Sequence, residues 1–577
     1  MSAVSAEPAA MDAAPSTATV AVVTKEPPAE KPEAVSLRTK IVLSFWAVIL
    51  LLGLPTWWQT TSIYRASLPL QDMLNWADGT NTPTAIPLNI WIQSSGISCP
   101  EAQTLVRDTQ QALDDLNEYP KLHQRLHLVD GKSSNKKAGH GKEHSEVDCG
   151  VDPLKSGLGD PALKITLESS ASAYAFDLDT ITASATVRVP ANSGNNAAKQ
   201  LAGTLHDLFR HEQIAAALQT VFLAGSSNNA QAFLKSQPYE LVDSIEKQIN
   251  RAYKSAPEFH LTFSILTASG APSSWDIQET LNDRIKPLVQ ALSSTAKIDI
   301  TAQVQLYSAY SPAVHPLVQE GQEGMLLQQK DLTAFVNAAE WPLAPSIGDG
   351  PTLNFVLYVP AVSQIPLRIA DNDETAWLIP QWGGIQILNP PLRPDAVSDV
   401  STLPEHLSKE VLQQPFQTFA SQLLSLLGVL QSESSVRTLP LQLRLDAYKR
   451  FSALTLYLKA ASSLGSLSRL AQHLNNIPIP RHVAQLVDDS IGNLTACSHA
   501  FQESRWDSAL AHAKVAYADS EKAFFDKSMV GQVYFPDEHK VAVYLPLLGP
   551  IGVPLLVGLL KEIKKFISKK KAIAQEG

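Results

Sequence analysis

Two stretches of the chain are apolar all round. Val541 to Leu560 runs twenty residues without a charge and is followed by a burst of lysines, and Ile41 to Trp58, "IVLSFWAVILLLGLPTWW", ends in two tryptophans. At about 1.5 Å of rise per residue, twenty residues cover the roughly 30 Å hydrocarbon layer of a bilayer. The pattern therefore predicts transmembrane helices over 38–58 and 539–560. A core helix of that length would carry a polar stripe. A cleaved signal peptide would have a shorter apolar core, begin nearer the start of the chain and be followed by a small-residue cleavage site, whereas here the polar "QTTSIYR" follows.

Between the two stretches the periodicity alternates. "IPLNIWIQSS" places Leu88, Ile90 and Ile92 on one face of a strand, and "PEAQTLVRDTQQALDDLNEY" continues as a helix opened by Pro100. Further strands are read in "LKITLES", "ATVRVP", "EFHLTFSILT", "KIDITAQVQLYS", "TLNFVLYVP" and "GGIQILN", with helices near 196–222, 229–254 and 275–293. Strands interleaved with helices predict a layered α/β body whose mixed or largely parallel sheet is flanked by helices. From about residue 403 the strand signals stop and long amphipathic helices take over. No internal repeat is evident. The expected organisation is a disordered tail over 1–37, a first span over 38–58, an α/β domain over 59–402 with a polar loop at 130–148, a helical segment over 403–538, a second span over 539–560 and a basic tail over 561–577.

Charge near the membrane ends sets the expected orientation. Arg38 and Lys40 precede the first span and only Arg65 follows it closely, while Lys561, Lys564, Lys565, Lys569, Lys570 and Lys571 follow the second against Lys540 before it. Basic residues stay on the cytosolic side, so both termini are expected in the cytosol and everything between in the lumen or outside the cell. A net charge of −10 leaves no electrostatic footprint for nucleic acid, which excludes that class of partner. Three cysteines, Cys99, Cys149 and Cys497, are few for a secretory chain. A bridge between Cys99 and Cys149 is one reading that the sequence leaves open.

The search for chemistry returns little. "HGKEH", His140 to His144, matches an inverted zinc-peptidase pattern, but that pattern needs a helix to bring both imidazoles to one face, and here glycines at 139 and 141 mark a solvated loop. His206 and His211 stand five apart in a helical pattern, which turns them away from each other. Cys99 precedes a helix N-terminus but lacks a local signature and an identifiable partner base. No phosphate loop, dinucleotide fingerprint, G-x-S-x-G or EF-hand occurs. No catalytic residue, metal ligand or cofactor is assigned. Neither span holds an ionisable residue at its centre, which argues against transport. Pro546, Pro550 and Pro554 in the second span remove amides on one face, so a kinked helix leaning on partner helices is expected. One sequon, Asn493 to Thr495, is a candidate N-glycosylation site.

Three segments carry a resemblance to a known family. "GLPTWWQTTSIYRASLP" after the first span, "LIPQWGGIQILNPP" from Leu378 to Pro391, and "FFDKSMVGQVYFPDEHKVAVYLPLLGPIGVPLLVGLL" from Phe524 to Leu560 are similar to PIG-S, the phosphatidylinositol glycan class S subunit family of the GPI transamidase. The resemblance extends over the span, body and span layout; the N-terminal tail and the loop around "GKSSNKKAGHGKEHSE" match nothing. It implies an accessory, non-catalytic subunit in the endoplasmic reticulum membrane. The complex cleaves a C-terminal signal from a precursor protein and joins the new end to an ethanolamine amine on the GPI lipid, with the nucleophilic cysteine in a separate caspase-like subunit. The implied partners are those other subunits and membrane lipid, GPI included, around which the spans would join other helices. Beside it, Trp57, Trp58, Tyr64 and Arg65 are expected at the membrane surface where the body begins, and Tyr534 and Phe535 with Pro536 and Asp537 where it ends, since aromatic rings suit that interface and Arg65 can snorkel. The rival readings are a stand-alone lumenal hydrolase anchored to the membrane and, more weakly, a cell-surface adhesion module.

Overall fold

The computed structural model describes residues 31–573 apart from 62–63, 120, 130–148, 171–172, 191–193, 225–227, 319–323, 338–340, 342, 344–349, 371–373, 395–400, 431–438, 475–476 and 531–536. The chain divides into two compact units, one holding residues 1–64 and 533–577 and the other residues 65–532.

In the first unit α1 (Pro32–Val48) runs through a π turn, Ile49–Gly53, into α2 (Leu54–Thr61). Among the described residues, Pro32–Thr56 is the one helix long and apolar enough to cross a membrane. The C-terminal helix, Asp537–Ile573, continues through Pro546, Pro550 and Pro554 although each withholds an amide from the ladder. The Thr39 hydroxyl donates to Glu562 Oε2 at 3.0 Å, Arg38 Nε lies 3.8 Å from Glu562 Oε1, and a Cβ added at Gly558 would stand 3.8 Å from the Val42 side chain. Numbers rise along one helix as they fall along the other, so the two helices pack antiparallel.

The second unit opens with α3 (Leu70–Ala77). Its first sheet follows: β1 (Ile86–Ser95), α4 (Cys99–Leu116), β2 (Leu122–Leu128), β3 (Leu163–Ser170), β4 (Ala175–Leu178) and β5 (Ser184–Pro190). Three helices, α5 (Gly194–Ala224), α6 (Asn228–Ser236) and α7 (Tyr239–Arg251), lead to the second. That sheet comprises β6 (Glu258–Thr267), α8 (Ile277–Arg284), α9 (Lys286–Leu292), β7 (Lys297–Gln305), β8 (Thr352–Val359), β9 (Ala376–Ile379) and β10 (Gly383–Ile387). The chain then turns helical with α10 (Lys409–Leu427), α11 (Leu441–His473), α12 (Arg481–Gln502) and α13 (Trp506–Phe524).

There are thus two five-stranded sheets in the body, and they are wound alike. Their orders are β2-β1-β3-β5-β4 and β7-β6-β8-β10-β9. In each, the first strand lies between the second and third, the fifth follows, and the fourth closes the edge. Four strands in each are parallel and the fourth strand is antiparallel to the fifth. Neither the second sheet as a separate layer nor this repetition was expected from the periodicity. The predicted helix over 229–254 is broken by Pro238, which caps α7.

Covering both faces of a parallel strand demands near-continuous burial. β6 meets it with every residue but Glu258 buried, and β8 with every residue but Thr352. One core joins the first sheet to α3–α5 and α11–α13; a second joins the second sheet to α8–α10; a third packs Phe335, Trp341 and Trp377 around Tyr358 on that sheet's other face. α11 belongs to two of them, giving Leu443 to the first core and Leu445 and Tyr448 to the second. Against α11 lies α3 so closely that a Cβ on Gly465 would collide with that of Ala77, and the Ser468 hydroxyl donates to Leu70 O at 2.9 Å.

Among the described residues one ion pair is taken fully inside. Arg450 on α11 donates through Nε and Nη2 to the two carboxylate oxygens of Glu212 on α5, at 2.6 and 2.8 Å, with 4 and 7% of their side chains exposed. The Trp506 ring lies 5.9 Å from the guanidinium. Fork-to-fork geometry satisfies both groups, which offsets the desolvation. The free edge of β2 is also closed internally: the Gln110 side chain of α4 accepts from Leu126 N at 2.9 Å and donates to Gln124 O at 3.1 Å, standing in for a neighbouring strand. Cys99, at the start of α4, is bonded to Cys149, with Cα atoms 5.4 Å apart across a separation of 50 residues.

Glu212→Gln leaves a buried guanidinium uncompensated and is expected to lower unfolding stability by about 3–5 kcal/mol, while Glu212→Leu with Arg450→Met recovers most of the loss; thermal and urea unfolding of the purified protein measures both. Replacing Cys99 and Cys149 together by serine releases a 50-residue loop, and the same assay is expected to show a loss of about 4 kcal/mol on loop entropy.

Candidate functional site

The body holds a cleft of about 580 Å³. One wall is a stripe on α11, where Tyr448, Phe451, Thr455, Lys459 and Ser463 follow each other at three- and four-residue spacing and so share a face. Tyr517 and Glu521 of α13 stand beside it, again four apart, and Gln219 and Leu223 of α5 lie opposite. The floor is made where the two sheets' helices meet: Tyr253 N donates to Leu426 O at 2.8 Å, and its hydroxyl donates to Thr352 O at 3.0 Å. Gly428 ends α10 in the left-handed region at φ 83°, a turn that favours glycine.

The rim holds the tip of the β9–β10 hairpin, which is the segment "LIPQWGGIQILNPP". Gln381 at the tip is left-handed, φ 56°, and its amide reaches Asn250 O at 3.5 Å. The two glycines after it serve close approach: a Cβ on Gly383 would collide with the Asn354 carbonyl, and one on Gly384 with the Gln422 amide, which itself donates to Trp377 O at 3.0 Å.

Charge in the cleft is concentrated on lysine. Lys459 Nζ lies 5.7 Å from the centre of the Tyr517 ring. Burial lowers the Lys459 pKa and the positive charge of Lys254 lowers it further, with Glu521 opposing. Glu521 accepts from the Ser463 hydroxyl at 2.7 Å. Burial raises the pKa of Tyr448 to about 12, against a hydrogen bond with Ser452. The Thr455 hydroxyl is buried with no hydrogen-bond partner. These groups can bind and orient a polar ligand.

Other clusters resolve differently. Glu258, His260 and Asp299 come together at the start of the second sheet, but the Lys297 ammonium already bonds both carboxylates at 2.6 and 2.9 Å. His206 and His211 both lie on α5, roughly 140° apart around its axis. His140 and His144 lie outside the described residues. Cys99 is held in its disulfide, and Cys497 is buried, donates to Ala509 O at 3.3 Å and has its thiol pKa raised by burial.

Trp57 and Trp58 lie on α2, Tyr64 is exposed beyond it, and Tyr534 and Phe535 lie outside the described residues. Arg65 has a structural employment. It pairs with Ile479 through the backbone, and its guanidinium donates to the carbonyls of Ala471 and Leu474 at the C-terminal end of α11, satisfying groups that a helix end leaves open. Asn493 sits within α12 with Nδ2 donating to Asp489 O and Oδ1 against the His512 ring, both at 2.9 Å. Sequence reading missed the cleft because its walls come from six separate stretches of the chain; the i, i+4 spacing of Thr455, Lys459 and Ser463 was the signal that could have marked one of them.

The sequence model for the phosphatidylinositol-glycan biosynthesis class S family matches residues 44–569. The chain belongs to that family. Curated relatives agree over nearly their whole length. The chain is 26% identical over 552 residues to the GPI transamidase component PIG-S homolog of Schizosaccharomyces pombe, covering 94% of this chain and 86% of the relative. It is 26% identical over 558 residues to the human GPI-anchor transamidase component PIGS, covering 92 and 96%. A GPI transamidase component of Saccharomyces cerevisiae is 24% identical over 556 residues, covering 93 and 94%. All three segments on which the class S resemblance rested fall within the matched span.

Gly383→Ala is expected to destabilise by at least about 1–3 kcal/mol, because its Cβ meets backbone that cannot give way. Gly203→Ala, inside α5 with open space around it, is expected to stabilise by roughly 0.5–1 kcal/mol. Melting temperatures of the two variants, moving in opposite directions, check the pair.

Proposed function

We propose that this chain is an accessory subunit of a GPI transamidase, the complex that attaches glycosylphosphatidylinositol to the C-terminus of precursor proteins in the endoplasmic reticulum. The observation that carries this reading is the class S family match along residues 44–569, together with relatives named as transamidase components that align end to end. Bond making belongs, on this reading, to a caspase-like cysteine protease subunit, and this chain supplies a folded body and two membrane helices to the assembly.

The layout that goes with it has Pro32–Thr56 and the apolar part of Asp537–Ile573 as two spans, both termini in the cytosol and the body in the lumen. The antiparallel contact of Arg38 and Thr39 with Glu562 supports it, since it sets the basic start of one helix beside the basic end of the other, as a hairpin with both ends on one side requires. The Cys99–Cys149 disulfide suits an oxidising compartment. Pro546, Pro550 and Pro554 leave carbonyls on the second helix for neighbouring helices to satisfy, so this helix is a contact with other subunits and with lipid.

Tagged protein taken from membranes in mild detergent is expected to bring down a cysteine-protease-like partner and further membrane subunits; recovery of the chain alone counts against the reading. A sequon engineered into residues 130–148 is expected to gain a glycosidase-sensitive mobility shift and one placed after residue 571 is not. The reverse pattern overturns the topology.

A further inference from the structure

We propose that the cleft between the two sheets is a binding site for a small phosphate-bearing ligand, with Lys254 and Lys459 as its cationic anchors. A volume of about 580 Å³ lies within the roughly 300–1,000 Å³ range of small-molecule pockets. The two lysines stand near enough for one charge to act on the other, and among the described residues neither has an ion-pair partner. Several lysines elsewhere on this body are matched: Lys297 bridges Glu258 and Asp299, Lys409 pairs with Asp283 and Lys449 with Asp507. Among the described residues lining the cleft the only carboxylate is Glu521, which already accepts from Ser463 and leaves a net positive site.

Holding two like charges together, one of them half-buried, is unfavourable without an anion between them. Neutral donors surround that position. The Thr455 hydroxyl, 95% buried, has no partner and lies on the same stripe as Lys459, and the Asn250, Gln381 and Ser462 side chains line the walls. A phosphate fits better than a carboxylate because its dianion matches two point charges and offers oxygens to several donors at once. The hydroxyls and amides around it suit a polyol or sugar attached to that phosphate. The inference concerns this cleft and stands independently of the subunit reading.

The test uses full-length protein in detergent. Amines are acetylated with limiting reagent at pH 8.5, and modification of Lys459 and Lys254 is quantified by peptide mass spectrometry with inorganic phosphate, glucose 6-phosphate, glucose or micellar phosphatidic acid present. Both phosphate and glucose 6-phosphate are expected to protect the two lysines while glucose does not, with Lys235 and Lys286 as unprotected references. Protection by phosphatidic acid alone assigns the phosphate to a lipid headgroup, and protection by glucose 6-phosphate assigns it to a soluble ester. Lys254→Met with Lys459→Met is expected to weaken glucose 6-phosphate binding by at least about tenfold, with Lys459→Arg retaining it. No protection by any of the phosphates in the wild-type chain, or equal protection by glucose, overturns the proposal.

Discussion

The body is organised by the need to bury one helix on nearly every side. α11 is 33 residues long and has buried residues all round its circumference, so no single sheet or layer can cover it. α3, α5, α12 and α13 close on it from the first core, and Leu445 and Tyr448 carry it into the second. Arg450 is the cost of that position, a guanidinium with no access to water, and Glu212 on α5 is what makes it tolerable. Arg65 meets the same helix at its C-terminal carbonyls. The residue that starts the body thus also finishes its longest helix.

A helix shared by two cores has a face where the two meet and neither closes over it completely. On α11 that face carries Tyr448, Phe451, Thr455, Lys459 and Ser463, and the cleft opens along it while the other faces of the same stretch stay in the first core. Its polarity follows from this position. Residues facing a seam touch water, so Lys459 and Ser463 are tolerated on a helix whose other faces take Leu454, Leu464 and Leu467. The hairpin tip with Gln381 reaches the seam because Gly383 and Gly384 let β10 press against β8 and α10 without side chains between them.

Much of this was legible in residue patterns, and the exceptions have physical causes. Strands buried on both faces, such as "EFHLTFSILT" and "TLNFVLYVP", are plain because their apolar runs are long. β2, "LHQRLHL", was missed because Gln124 puts a polar residue on its buried side and so interrupts the apolar alternation, and β4 and β9 because four residues are too few to show a period. The division into two sheets could not be read, since strand pairing is a long-range property that no local pattern encodes. The bonds of Arg65 to the end of α11 could not be read either, since the carbonyls it serves lie more than 400 positions away. The cleft escaped for the same reason.

The repeated winding of the two sheets has a consequence for where such a chain can grow. In each half the path from second to third strand must leave one edge and cross over the first strand, and both halves place a long excursion there: residues 129–162 in one, residues 306–351 in the other. In one copy the excursion is clamped by a cystine, and in the other it folds back as an aromatic cap over Tyr358. Insertion outside Met325–Leu327, which pair with Leu367–Ile369, disturbs neither five-stranded ladder, so added length has a ready outlet in two equivalent places and the frame beneath need not change to accommodate it.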